Sequence, residues 1–119
     1  MSVKRTERGW AGHFICADGC NFRRNTLLEY GDTKIVVSTV GLYVNSDLKF
    51  EEIGVGRYFE TMCFYSSKTD SRYHDADVTK QIGFDSNWAI SELDADDKAN
   101  DMHEKVVEEI TQKLLDGKL

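Results

Sequence analysis

An α+β fold, an antiparallel β-sheet meander of four to six strands packed by one long C-terminal α-helix, is the class this sequence predicts, and three observations carry it. Through residue 84, segments rich in Val, Ile, Tyr, Phe and Thr alternate at short spacing with clusters of Gly, Asp, Asn and Ser, the signature of strands and turns. From residue 85 the apolar period changes to that of a helix. At 119 residues the chain is long enough for one core and too short for two, so a single domain over 1–119 is expected, mainly β over 1–84 and helical over 85–119.

The elements follow in order. A first strand is expected over 10–16, closed by Asp18-Gly19, whose glycine supplies the positive φ of a tight hairpin turn. A second covers 22–30, broken near Arg24-Asn25, and Gly31-Asp32 turns the chain into the third, over 34–44. That third strand is apolar on both faces, the mark of a central strand covered on both sides. After a turn at Asn45-Ser46-Asp47, the stretch to Gly56 reads as loop or short strand, and 58–65 is a fourth β segment pairing with the central one. An edge strand over 72–78, running on to Ile82, is kept soluble by His74, Asp75 and Asp77. A short helical turn over 86–90 carries Trp88. The long helix then begins near Ser91 and Asp94, which resemble a capping box with Asp in place of Glu. Ala95, Ala99, Met102, Val106, Ile110 and Leu114 recur every three or four residues, with Val107 on the flank, and Gly117 is a natural stop.

Composition narrows the function. Hydrophobic residues at 40% and charged residues at 30% describe a folding globular chain rather than a disordered one. No apolar run approaches the length of a membrane span, and the basic start, Lys4-Arg5, has no apolar segment behind it as a secretory signal would. A cytoplasmic protein without a membrane partner is the expectation. Three cysteines, Cys16, Cys20 and Cys63, are not a disulfide framework in a chain of this length. The net charge of -6 argues against direct nucleic-acid binding, and its distribution says more. Residues 1–84 balance eleven basic against eleven acidic side chains, whereas 85–119 hold ten acidic against four basic.

Sites of chemistry are few. His13, Cys16 and Cys20 are zinc-type ligands, but a fourth would have to come from Cys63, His74 or His103, and His13 and Cys16 point to opposite faces of a strand. Buried thiols and a surface histidine are the simpler reading, and no metal site is assigned. A thiolate nucleophile at Cys63 with His74 as base, oriented by Asp75 or Asp77, has no local signature around it. Gly54-Val55-Gly56 leads into a strand rather than a helix N-terminus, so it is no phosphate loop, and no other cofactor motif occurs. The expectation is a protein that is not an enzyme and needs no cofactor.

Two surface features remain as candidate sites. Asp97, Asp101, Glu104 and Glu108, at spacings of four, three and four, form an acidic ridge opposite the apolar stripe, suited to a protein partner with a basic surface. Lys98 and Lys105, four residues after Asp94 and Asp101, partly neutralise it. Arg23 and Arg24, beside Asn21, Phe22 and Asn25, are candidate ligands for a phosphate-bearing small molecule or an acidic partner. A chain acidic in one region and basic in another is also suited to forming a homo-oligomer.

The stretches Arg8-Gly9-Trp10-Ala11-Gly12-His13-Phe14, Phe22-Arg23-Arg24-Asn25-Thr26-Leu27-Leu28-Glu29-Tyr30-Gly31-Asp32 and Asp94-Ala95-Asp96-Asp97-Lys98-Ala99-Asn100 resemble small uncharacterised accessory proteins of bacteriophages and prophages. The likeness covers most of the chain and carries no catalytic motif. It implies a binding protein, an inhibitor of a host or defence protein acting by contact. The alternatives are a module that binds or sequesters a phosphate-bearing ligand, or a homo-oligomeric structural protein.

Overall fold

The computed structural model describes residues 2–8, 19–66, 76–83 and 85–119. Among the described residues seven strands, β1 (Lys4–Glu7), β2 (Cys20–Tyr30), β3 (Thr33–Val44), β4 (Phe50–Glu51), β5 (Phe59–Ser66), β6 (Ala76–Gln81) and β7 (Ala89–Ile90), precede a single long helix, α1 (Asp96–Leu115). The sheet runs β1-β2-β3-β5-β6, with β4 also on β3 and β7 also on β5, and every pairing is antiparallel. The architecture is the α+β meander with a C-terminal helix that the hydrophobic pattern predicts.

β3 is the centre because its sequence, TKIVVSTVGLYV, offers β-branched residues to both faces. Every residue from Ile35 to Leu42 is buried. Side chains alternate across the strand. Ile35 and Val37 join Leu28 of β2 and Cys63 of β5 against Val106, Val107, Ile110 and Leu114 of α1. Val36 and Phe64, with Leu27 and Met62 packed against them, form a separate cluster on the opposite face. A third cluster, Phe22, Leu42 and Phe59 with Ala95, Ala99 and Met102, seats the start of the helix. Here β3 runs close to β5: a Cβ on Gly41 would overlap the Phe59 ring and the Tyr58 carbonyl. The next residue, Leu42, takes a left-handed backbone with φ of 54°.

Several sequence expectations need correction. β2 is not broken at Arg24-Asn25; Arg23, Arg24 and Asn25 pair with Val40, Thr39 and Ser38 without a step, because Arg24 and Asn25 find polar partners on either side of the sheet. A strand at Lys4–Glu7 was not foreseen, since its four residues are mostly polar and it is an edge strand held by ion pairs. The expected strand over 10–16 lies outside the described residues, as does the 72–75 start of the edge strand, of which Ala76–Gln81 is described. The helix starts at Asp96, later than the Ser91–Asp94 pattern suggests. Ala95 precedes it with no side-chain cap, and Asp96 and Asp97 supply the negative charge that the first turn favours. Its end matches expectation: Gly117 at φ 71° allows the Lys118 amide to donate to Lys113 and the Gly117 amide to Leu114, closing a Schellman motif.

Candidate functional site

The predicted acidic ridge occupies the outer face of α1, and the structure divides it. Asp97, Asp101 and Glu108 are exposed and, among the described residues, have no ion-pair partner. At 1.5 Å per residue they span about 16 Å of one column along the helix. Glu104 stands in the same column but leans to the β1 edge. Arg5 Nη1 donates to its Oε2 at 2.7 Å and Arg24 Nη2 to its Oε1 at 3.2 Å. The hydrogen bonds from Arg5, then from Arg24, hold the Glu104 carboxyl at about 2, against the pull of partial burial. Glu104 is therefore a clip between helix and sheet rather than an open contact residue. Lys98 is likewise engaged, with Glu92 at 2.8 Å rather than Asp94.

Beneath the clip runs a buried polar chain that the sequence did not reveal. His103 is fully buried, with Nε2 at 2.7 Å from Thr26 Oγ1 and Nδ1 at 2.7 Å from Thr39 Oγ1. Thr26 donates its hydroxyl proton to Glu7 Oε1 at 3.0 Å, so it must accept from His103 Nε2–H. Nδ1 then accepts from Thr39, whose oxygen accepts from Thr61 at 2.6 Å. One direction of donation runs Thr61, Thr39, His103, Thr26, Glu7, and it fixes a neutral imidazole. Burial, seconded by the charge of Arg24, lowers His103 to about 4. For Glu7, hydrogen bonds from Arg5 and Thr26 and the charge of Arg24 together outweigh the upward effect of burial, so its carboxyl lies below the usual range. Each hydroxyl sits on the helix-facing side of its strand, and His103 arrives there because it falls within the buried stripe of α1.

On the other flank of α1 an open cleft of about 490 Å³ lies between the helix and the turn Ser86–Trp88 with β7. Trp88, Ile90, Met102 and Val106 form its apolar walls, and Lys98, Asp101, Lys105 and Glu109 alternate in sign along the helical side. Asp101 thus belongs both to the acidic column and to the cleft. Lys105 and Asp101, four residues apart, carry no ion pair among the described residues. The cleft was invisible in the sequence, where Trp88 read only as part of a short turn.

The remaining candidates are placed as follows. Arg23 and Arg24 are not brought together: as neighbours in a strand they face opposite sides. Arg24 lies under α1 with Glu7 at 3.3 Å and Glu104 at 3.2 Å, while Arg23 shares the other face with Val40 and, one strand further, Glu60. Cys63 is buried among the core apolar side chains, and burial pushes its thiol pKa up, opposite to the need of a nucleophile. His74, its suggested base, lies outside the described residues, as do His13 and Cys16 of the zinc reading. Cys20 is buried, and among the described residues no three His, Cys, Asp or Glu side chains group as metal ligands. No described helix is long and apolar enough to cross a membrane. No protein-family model matches the chain, and neither a curated protein nor a solved structure matches it significantly.

Proposed function

We propose that the chain is a non-enzymatic binding protein that engages a basic surface on a protein partner through the outer column of α1. The observation that carries this reading is the division of the ridge. Glu104 is consumed by Arg5 and Arg24, while Asp97, Asp101 and Glu108 stand exposed over about 16 Å with no ion-pair partner among the described residues. Beyond the favourable place of Asp97 in the first helical turn, these carboxylates make no hydrogen bond or ion pair among the described residues; they repel a phosphate backbone, whereas they steer and orient a basic protein surface. The resemblance to phage and prophage accessory proteins supports a contact that blocks a host or defence protein. The reading of Arg23 and Arg24 as a joint phosphate site finds no such support, since Arg24 is already paired.

Affinity capture from a lysate of the source cells, quantified by mass spectrometry, tests the proposal. With Asp97→Lys, Asp101→Lys and Glu108→Lys combined, a partner retained by the wild type should be lost while circular dichroism stays unchanged. Retention of that partner by the triple variant would remove the acidic column from the function.

A further inference from the structure

Away from the helix, residues 45–57 make two turns, one on either side of β4. Asn45 Oδ1 accepts from the amides of Asp47 at 2.9 Å and Lys49 at 3.1 Å, and the Leu48 amide donates to the Asn45 carbonyl at 3.0 Å. In the second turn the Gly56 amide donates to Glu52 Oε2 at 2.9 Å. The first turn ends in an apolar side chain held where it touches nothing: Leu48 is 86% exposed, on a backbone with φ of 59° that leucine rarely adopts. Asn or Gly would suit that backbone better, so the fold alone does not account for leucine at this point. Asp47 and Lys49 flank it, both exposed and neither ion-paired among the described residues.

The cleft beside Trp88 presents the complement. Its floor is apolar where Trp88, Met102 and Val106 meet, and Lys105 and Asp101, neither ion-paired among the described residues, stand about 6 Å apart along the helix axis. That interval suits two charges two residues apart on a turn. We propose that this cleft is a self-association site: Leu48 of one copy seats among Trp88, Met102 and Val106 of a second, with Asp47 against Lys105 and Lys49 against Asp101. An apolar contact at the centre with charged pairs around it follows the general layout of an interface, an apolar core within a polar rim. Asp101 is shared with the acidic column, whereas Leu48, Asp47 and Lys105 lie outside it, so variants at these three positions test this inference apart from the partner reading.

Sedimentation velocity on the full chain over a wide concentration range tests it. The wild type should dimerise or assemble with rising concentration. Leu48→Asn, which suits the left-handed backbone and leaves the fold intact, should weaken association about tenfold or more. Lys105→Asp should weaken it similarly, and adding Asp47→Lys to Lys105→Asp should restore it. A wild type that stays monomeric throughout, association insensitive to Leu48→Asn, or failure of the charge swap to restore it would each overturn the proposal. So would a monomeric wild type whose Leu48 is needed only for binding a different protein.

Discussion

His103 makes the stability of this fold depend on pH in a window where ordinary carboxylates do not titrate. The imidazole is held at about 4 in the folded chain against 6.5 when unfolded. Between those values the unfolded chain binds a proton that the folded chain refuses, so stability rises with pH and is lost as pH falls from 6.5 through 4. The full difference corresponds to about 3 kcal/mol, of which about 2 kcal/mol is expressed between pH 7.5 and about pH 5. That is a large share of the roughly 5–15 kcal/mol by which domains of this kind are stable. The physical source is burial, seconded by the charge of Arg24, and the hydrogen-bond chain acts in the same direction, since a proton on Nδ1 would meet the Thr39 hydroxyl proton and force Thr39 and Thr61 to reverse. Glu7 and Glu104, both lowered below 4.5, contribute stability that is lost as pH falls through that value, which overlaps the lower end of the His103 window but lies below the range from pH 7.5 to about pH 5. The assay is urea unfolding at several pH values, run in parallel on the wild type and on His103→Gln. The variant should be less stable at neutral pH by about 1–3 kcal/mol for its unpaired threonine. The variant should also lack the wild type's additional slope between pH 7.5 and 5, while any contribution of His13 and His74 stays common to both. Parallel curves for the two proteins would refute the assignment.

Other outcomes follow from the same geometry. Glu104→Gln removes the carboxylate shared by Arg5 and Arg24; because the group is partly exposed and screened, the loss should be about 1 kcal/mol or less and should shrink in high salt, as urea titrations at two ionic strengths would show. Gly41→Ala drives a methyl into the Phe59 ring and the Tyr58 carbonyl and should cost about 1–3 kcal/mol in thermal or urea unfolding. Ile110→Ala empties a fully buried position and should cost about 2–5 kcal/mol by the same measurement. The Cys63 thiol, buried and raised in pKa, should react with a disulfide reagent only as fast as the chain opens, so its modification rate should rise steeply with denaturant.

What could be read from the sequence divides along a physical line. β3 and α1 were legible because a continuous apolar run and a stripe at three- and four-residue spacing are patterns of burial, and burial dominates the fold. Gly117 was legible because its requirement is local. β1 was not, since a short polar strand owes its place to Arg5 and Glu7 meeting residues far along the chain. The broken β2 was misread because Arg24-Asn25 looks like a turn until Glu104 and Arg8 are set beside it. His103 read only as a possible fourth zinc ligand and not as a core residue, since neither threonine that engages it is near in sequence. Of the candidate site, Asp97, Asp101 and Glu108 followed from helical periodicity, while the cleft needed Trp88 brought against α1.

The Thr61–Thr39–His103–Thr26–Glu7 chain draws one member from each of β5, β3, α1, β2 and β1, and α1 is the last of these to be synthesised. On a translating ribosome the sheet strands emerge with Leu28, Ile35, Val37 and Cys63 uncovered and with Thr39 lacking its imidazole. The sheet by itself therefore leaves one face of its core open to water, and His103 with its apolar neighbours on α1 closes that face last.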